Sequence, residues 1–195
     1  AVITVSDTTR RELTALGVVP ERLLRRVYLA SAPEFSPTPL PEDAEVLRRY
    51  GVSGEYLLYV GGYDKHKNVD ALVRAFDRAR LPDHSLVVAA SKHRWHSELV
   101  AKWRDLSCFS RLRLIEPQTS ELPSLYRGAS FFVNPSLWES FSFQLLEAMA
   151  CGTPILASNR TAIPEIAGDA ALYFDPADST GTPAIFERMA GDLNL

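Results

Sequence analysis

One unit recurs along this chain and constrains its fold more than anything else: a short run that is apolar throughout, a loop, then an amphipathic helical pattern. Tyr56-Leu57-Leu58-Tyr59-Val60 leads through Gly61-Gly62 to a helical pattern over 68–80, whose apolar face is Val69, Leu72, Val73 and Phe76. Largely apolar runs at 85–90, 112–115, 131–133, 153–157 and 171–174, with Arg113 the one charge among them, repeat the theme. The helical patterns that follow them lie at 97–106, at 120–126, around Leu145, Leu146, Ala148 and Met149, at 162–167 and at 184–190. A strand with one wet face alternates apolar and polar residues, whereas a strand apolar on both sides must be covered on both. Strands of that kind alternating with helices predict an α/β fold, an open parallel sheet with helices on both faces. With 195 residues, 46% of them hydrophobic and 23% charged, there is enough material for a sizeable core.

The first part of the chain departs from this rhythm. Val2-Ile3-Thr4-Val5 reads as a strand, Ser6-Asp7 as a helix cap, and the helical pattern after it ends at Gly17. Residues 32–41 hold Pro33, Pro37, Pro39 and Pro41 without periodicity, so they read as an extended connector. The expected division is therefore an end of one domain over 1–17, a connector and domain start over 18–41, and a second domain over 42–195.

Several function classes drop out. The net charge of −3 provides no basic footprint for nucleic acid. No apolar run approaches the roughly 20 residues that cross a bilayer, and the expected setting is cytoplasmic. Two isolated cysteines, Cys108 and Cys151, make neither a disulfide framework nor a metal cluster. Gly-x-Gly-x-x-Gly, the P-loop, Gly-x-Ser-x-Gly and Asp-x-Asp are absent, so no metal or redox cofactor is expected. His93-x-x-His96 lacks further ligands at metal spacing and reads as a solvated pair, and the sequon Asn159-Arg160-Thr161 carries no weight without a secretion signal.

The informative stretch runs from Asn134 to Pro154. It follows an apolar strand, so Glu139 falls in a loop at the strand's carboxyl end, where open α/β sheets bind ligands. Ser140 or Ser142 is placed to cap the next helix, whose free N–H groups favour phosphate or an electron-rich oxygen. Glu147 lies about five residues into that helix, roughly 7–8 Å along its axis and thus on the scale of a diphosphate. Leu145, Leu146, Ala148 and Met149 surround it, and an acid so enclosed needs a partner. Trp138, Phe141 and Phe143 suit packing at the core or rim at least as well as stacking on a ligand.

The run Pro135-Ser136-x-x-Glu139-x-Phe141-x-x-x-x-Leu146-Glu147-Ala148-Met149-Ala150-Cys151-Gly152-Thr153-Pro154 resembles the Glu-x7-Glu signature of retaining GT-B glycosyltransferases of family four, the glycosyltransferases group 1 domain. The segments 122–129 and 164–171, and Asp175-Pro176, resemble its flanks, and Leu58 to Asn68 with Ala75-Phe76 resembles its phosphate loop. The resemblance implies a Rossmann-like, nucleotide-sugar-binding half of a GT-B enzyme, a hexosyltransferase of polysaccharide or glycoconjugate synthesis with mannose as the favoured sugar. It implies that Glu147 binds the ribose, that Glu139 with the backbone of Ser140, Phe141, Ser142 and Phe143 holds the sugar, and that Lys67 neutralises the diphosphate. Glu116 and Pro117 would line the base, and Gly61 and Gly62 would let the backbone approach the phosphates. Glu139 and Lys67 are the implied catalytic residues. The implied partners are a nucleotide-sugar donor and, through a further amino-terminal domain, an acceptor glycan or lipid-linked sugar and the inner face of a membrane. These residues alone are then expected to bind donor without transferring sugar. Two positions depart from the family pattern: Gly62 stands where many members have Arg, leaving Lys65 or His66 as substitutes, and serines at 140 and 142 replace glycines, adding bulk near the sugar. A noncatalytic binding module and a sugar-nucleotide epimerase of the same fold are the alternatives.

Overall fold

The computed structural model describes residues 1–91 and 96–192. The chain begins with β1 (Val2–Thr4), α1 (Asp7–Ala15) and β2 (Leu24–Arg26), and β1 and β2 pair in parallel as a two-stranded sheet. After the proline-rich stretch come α2 (Asp43–Arg49), β3 (Tyr56–Val60), α3 (Val69–Arg78), β4 (Ser85–Ala89), α4 (His96–Trp103) and β5 (Leu112–Ile115). They are followed by α5 (Leu122–Gly128), β6 (Phe131–Asn134), α6 (Phe143–Cys151), β7 (Ile155–Ser158), α7 (Ile163–Ala167), β8 (Ala171–Phe174) and α8 (Thr182–Asp192).

Strands β3 to β8 form one six-stranded sheet in the order β5-β4-β3-β6-β7-β8, every pairing parallel. This is the α/β architecture that the apolar strands predict. The side chains of β3 show why: Tyr56, Leu57, Leu58 and Tyr59 are all buried, and alternate residues enter different cores. Leu57 and Tyr59 pack with Val69, Leu72, Val73, Phe76, Trp103 and Phe186 beneath α3, α4 and α8. Tyr56 and Leu58 pack with Val52, Leu125, Tyr126, Leu145 and Ile163 beneath α2, α5, α6 and α7. The strand order reverses between β3 and β6, so the chain leaves these neighbours in opposite directions and opens a crevice at their carboxyl ends.

Two elements lay beyond the apolar pattern. β2 has the sequence Leu-Arg-Arg with only Leu24 buried, and it forms inside the stretch read as connector by pairing with β1. α2 buries only Val46 among its residues and follows directly on the prolines. Elsewhere the differences are at element ends; β7, for example, starts after Pro154, which has no N–H for the ladder.

The turn after β3 is tight. A Cβ on Gly61 would lie 2.7 Å from the Tyr59 hydroxyl oxygen, which itself donates to the Gly62 carbonyl at 2.6 Å. Tyr59 is 2% exposed and cannot swing aside without losing that bond. Gly61→Ala is therefore expected to lower stability by about 1–3 kcal/mol through overpacking. Urea unfolding checks it, and in a Tyr59→Phe background, where the oxygen is gone and the ring carbon stays at 3.0 Å, the further loss from Gly61→Ala should be smaller.

Candidate active site

Lys67 and Glu139 meet in the crevice. Lys67 ends the short helical turn Lys65–Lys67 after β3, Glu139 lies in the loop after β6, and Nζ donates to Oε1 at 2.7 Å. Both are largely withdrawn from water, with side chains 20% and 9% exposed. The Ser136 hydroxyl donates to the same Oε1 at 2.8 Å. Two backbone bonds fix the loop on either side: Leu137 N–H to the His66 carbonyl at 2.8 Å, and Glu139 N–H to the Thr161 hydroxyl oxygen at 2.9 Å. The carboxylate is thus held from both halves of the sheet.

Two non-glycine residues with left-handed backbone flank this cluster, Asn68 (φ 56°) and Thr161 (φ 50°). For a β-branched residue such as threonine that conformation is strained by about 1–3 kcal/mol, and it persists only where surroundings impose it. Here the strain places the Thr161 hydroxyl on the amide of Glu139. Asn68 turns the chain from Lys67 into α3, and its amide donates to the Pro135 carbonyl at 3.2 Å.

Glu147 is the fifth residue of α6, half-buried, and its partner is Tyr126 of α5, whose hydroxyl donates to Oε2 at 2.8 Å. Burial raises the Glu147 carboxyl above its ordinary range, against the lowering effect of the Tyr126 bond. Burial also raises the Tyr126 phenol strongly, with the Glu147 charge adding to it. The enclosed acid with a partner that the sequence pattern calls for is present.

The serine expectations change. Ser142 occupies the cap position of α6 but makes no capping bond. Its buried hydroxyl instead accepts from the Asn134 amide at 3.0 Å and lies 3.2 Å from the Gln144 side-chain oxygen. It points into the protein and adds no bulk at the crevice. Neither Ser140 nor Ser142 has a positive φ, so neither position needs glycine. Ser140 instead offers its carbonyl to the hydroxyl of Ser6, at 2.7 Å.

The remaining candidates fall around this centre. Gly61 and Gly62 are half-buried in the turn after β3, while Glu116 is exposed and Pro117 half-buried at the carboxyl end of β5. Lys65 is exposed and lines a cavity of about 370 Å³ shared with α3 and α4, whose lining includes neither Glu139 nor Glu147. His66 uses its carbonyl to hold Leu137. Phe141 is buried and edge-on to the exposed ring of Phe143, centroids 5.7 Å apart, and Trp138 is exposed. Cys108 and Cys151 are both buried; burial pushes the Cys151 thiol up to about 11 and the Cys108 thiol up to about 12. His93 lies outside the described residues, and His96 opens α4 with its ring edge-on to Tyr63. Among the described residues no helix is long and apolar enough to cross a membrane.

Residues 54–191 match the glycosyl transferases group 1 family, which is most of the chain. The chain belongs to that family. Among relatives of the group 1 domain, O-antigen chain mannosyltransferase B of Escherichia coli is 32% identical over 188 residues, 91% of this chain and 48% of that protein. A serotype-specific mannosyltransferase WbdA of Escherichia coli is 30% identical over 202 residues, covering 98% of this chain and 24% of that one. The chain thus spans half or less of the curated relatives it first matches. Solved structures agree on the fold: a glycosyltransferase from Rickettsia africae superposes with a TM-score of 0.88 at 16% identity, over 98% of this chain and 54% of that one. Anabaena Alr3699/HepE in complex with UDP and glucose does so with a TM-score of 0.86 at 17% identity, over 98% and 54%. The group 1 chain is therefore the Rossmann-like half of a GT-B fold.

Thr161, Ser136 and Tyr126 are the site residues that the sequence reading passed over. The signal for Thr161 lay inside the discounted sequon, and Ser136 lay inside the signature itself. Nothing in the spacing marks Tyr126.

Proposed function

We propose that this group 1 chain binds the donor of a retaining glycosyltransferase, which moves a hexose from a nucleoside diphosphate sugar to an acceptor hydroxyl in polysaccharide synthesis. The observation that carries the reading is the Lys67–Glu139 pair, sequestered in the crevice between β3 and β6. A lysine and a carboxylate so enclosed suit a ligand with both an anionic leaving group and hydroxyls. Lys67 offers three donors to the diphosphate, the role a metal plays in other transferases. The α6 amino terminus, whose cap residue turns inward, adds N–H groups with a favourable dipole. Glu139 and Glu147 supply acceptor oxygens, the first for the sugar and the second for the ribose.

In the reaction so read, the bond between the anomeric carbon and the diphosphate oxygen breaks as the acceptor oxygen bonds to the same face of that carbon. The acceptor's proton passes to the departing phosphate oxygen. Lys67 stabilises the charge that gathers there, and the enclosed site strengthens that attraction. The two mannosyltransferase relatives favour mannose, and so GDP-mannose, as the donor.

Calorimetric titration of the chain with GDP, UDP and GDP-mannose tests the reading. Saturable binding of at least one nucleotide is expected, and no heat at millimolar GDP and UDP would overturn it. Titration in the presence of a chelator is expected to give the same affinity, because the binding charge comes from Lys67.

A further inference from the structure

The amino terminus of α1 is capped by a residue 158 positions away. The Glu165 carboxylate of α7 accepts from the Asp7 N–H at 2.5 Å and from the Thr8 N–H and the Thr8 hydroxyl at 2.8 Å each. The Tyr28 hydroxyl donates to it at 3.0 Å. The Ser6 side chain accepts from the Thr9 N–H, so the free amides of the first turn of α1 are taken up between Glu165 and Ser6. A carboxylate at a helix amino terminus also meets the positive end of the dipole. Glu165 is 15% exposed, and all its contacts but one outlying guanidinium at 3.9 Å are close.

This junction reaches the donor loop by two routes. The Ser6 hydroxyl is 2.7 Å from the Ser140 carbonyl, one residue after Glu139. On the other side, α7 starts from the strained turn at Thr161, whose hydroxyl holds the Glu139 amide, and Ala162 N–H approaches the Glu139 carbonyl at 3.4 Å. The unit of β1, α1 and β2 therefore grips both the loop that carries Glu139 and the helix that braces it. We infer that Glu165 is a positioning residue: by fixing α1 against α7 it sets the placement of Glu139 and Ser140, and so the hold on the sugar rather than on the nucleotide. The part concerning the sugar rests on the proposed function; the mechanical coupling does not.

Hydrogen exchange on the unliganded chain tests the coupling without any donor. In Glu165→Ala the amides of Glu139 and Ala162 are expected to exchange at least about tenfold faster, with Leu58 and Val88 in the central strands unchanged. Ser6→Ala, which removes the hydroxyl at the Ser140 carbonyl together with the cap on the Thr9 N–H but keeps Glu165, is expected to accelerate Glu139 and Ala162 by a smaller factor in the same pattern. Equal acceleration everywhere, or none at Glu139 and Ala162, overturns the coupling. In titrations, Glu165→Ala is expected to weaken GDP-mannose about fivefold or more relative to GDP, whereas a parallel loss for both ligands would make Glu165 a merely structural residue. Failure of the unmodified chain to bind GDP or UDP would sink the transferase reading, and the exchange pattern would still decide the coupling.

Discussion

Lys67→Ala is expected to weaken GDP or UDP binding by about 10- to 100-fold, the scale of a hydrogen bond to a charged group lost from an enclosed site. The substitution also strands Glu139, which is 9% exposed at its side chain and would keep only the Ser136 hydroxyl as a side-chain donor. Breaking a buried pair from one side costs about 3 kcal/mol, taken at the low end because a fifth of Lys67 already touches water. Adding Glu139→Gln removes the stranded charge, so the double variant should regain much of that stability while binding no better. Calorimetry and urea unfolding of the four proteins in the cycle measure both quantities, and a double variant as unstable as Lys67→Ala would show that the pair does not carry the stability.

Glu147→Gln is expected to have opposite effects on binding and stability. One acceptor oxygen replaces two, and if Glu147 takes the proposed ribose role nucleotide binding should weaken by about 1–3 kcal/mol, roughly 5- to 150-fold. Stability should rise at neutral pH. Burial holds the Glu147 carboxyl above its ordinary value in the folded chain, so the folded state binds the proton more tightly than the unfolded one. That contribution is present at low pH and is lost as pH climbs from the unfolded to the folded value. Above the window the charged carboxylate is a cost that glutamine removes. The gain in Tm should therefore appear at pH 7 and vanish near pH 4. Nucleotide affinity of the unmodified chain should fall on acidification at a higher pH than an ordinary glutamate would dictate. Tyr126→Phe should move that limb higher still, because the phenol's hydrogen bond favours the charged form. An acid limb unmoved by Tyr126→Phe would separate Glu147 from the ligand.

The contrast between β3 and β2 shows what the sequence can reveal. Five consecutive residues of β3 are apolar, because neighbours cover both faces, and the strand lies where the pattern puts it, at Tyr56–Val60. β2 has one buried residue in three, and its existence depends on β1 lying beside it, which no local pattern encodes. The site divides in the same way. Glu139 and Glu147 stand in one motif with seven residues between them, and Lys67 stands in a separate segment that the family resemblance singles out, so all three can be nominated from the chain before it folds. Tyr126, Thr161 and Glu165 act across 21, 22 and 158 positions and become visible only once the sheet has folded. The serines show the reverse error. Read along the chain, Ser142 is a cap or an obstruction, but Asn134 turns its hydroxyl inward, a choice made by packing.

The reversal of strand order between β3 and β6 also bears on how the molecule assembles. β3 pairs with β4 and β6 with β7 after crossovers of a few tens of residues, but β3 meets β6 through Leu57 with Phe131 and Leu58 with Phe132, 74 positions apart. Closing that seam carries the larger loop entropy and should be the late event in folding. Lys67 comes from one side of the seam and Glu139 from the other. A ligand gripping both would then act as a staple across the last joint to form. It should lengthen the lifetime of the folded chain by slowing unfolding, and leave the rate of folding nearly unchanged.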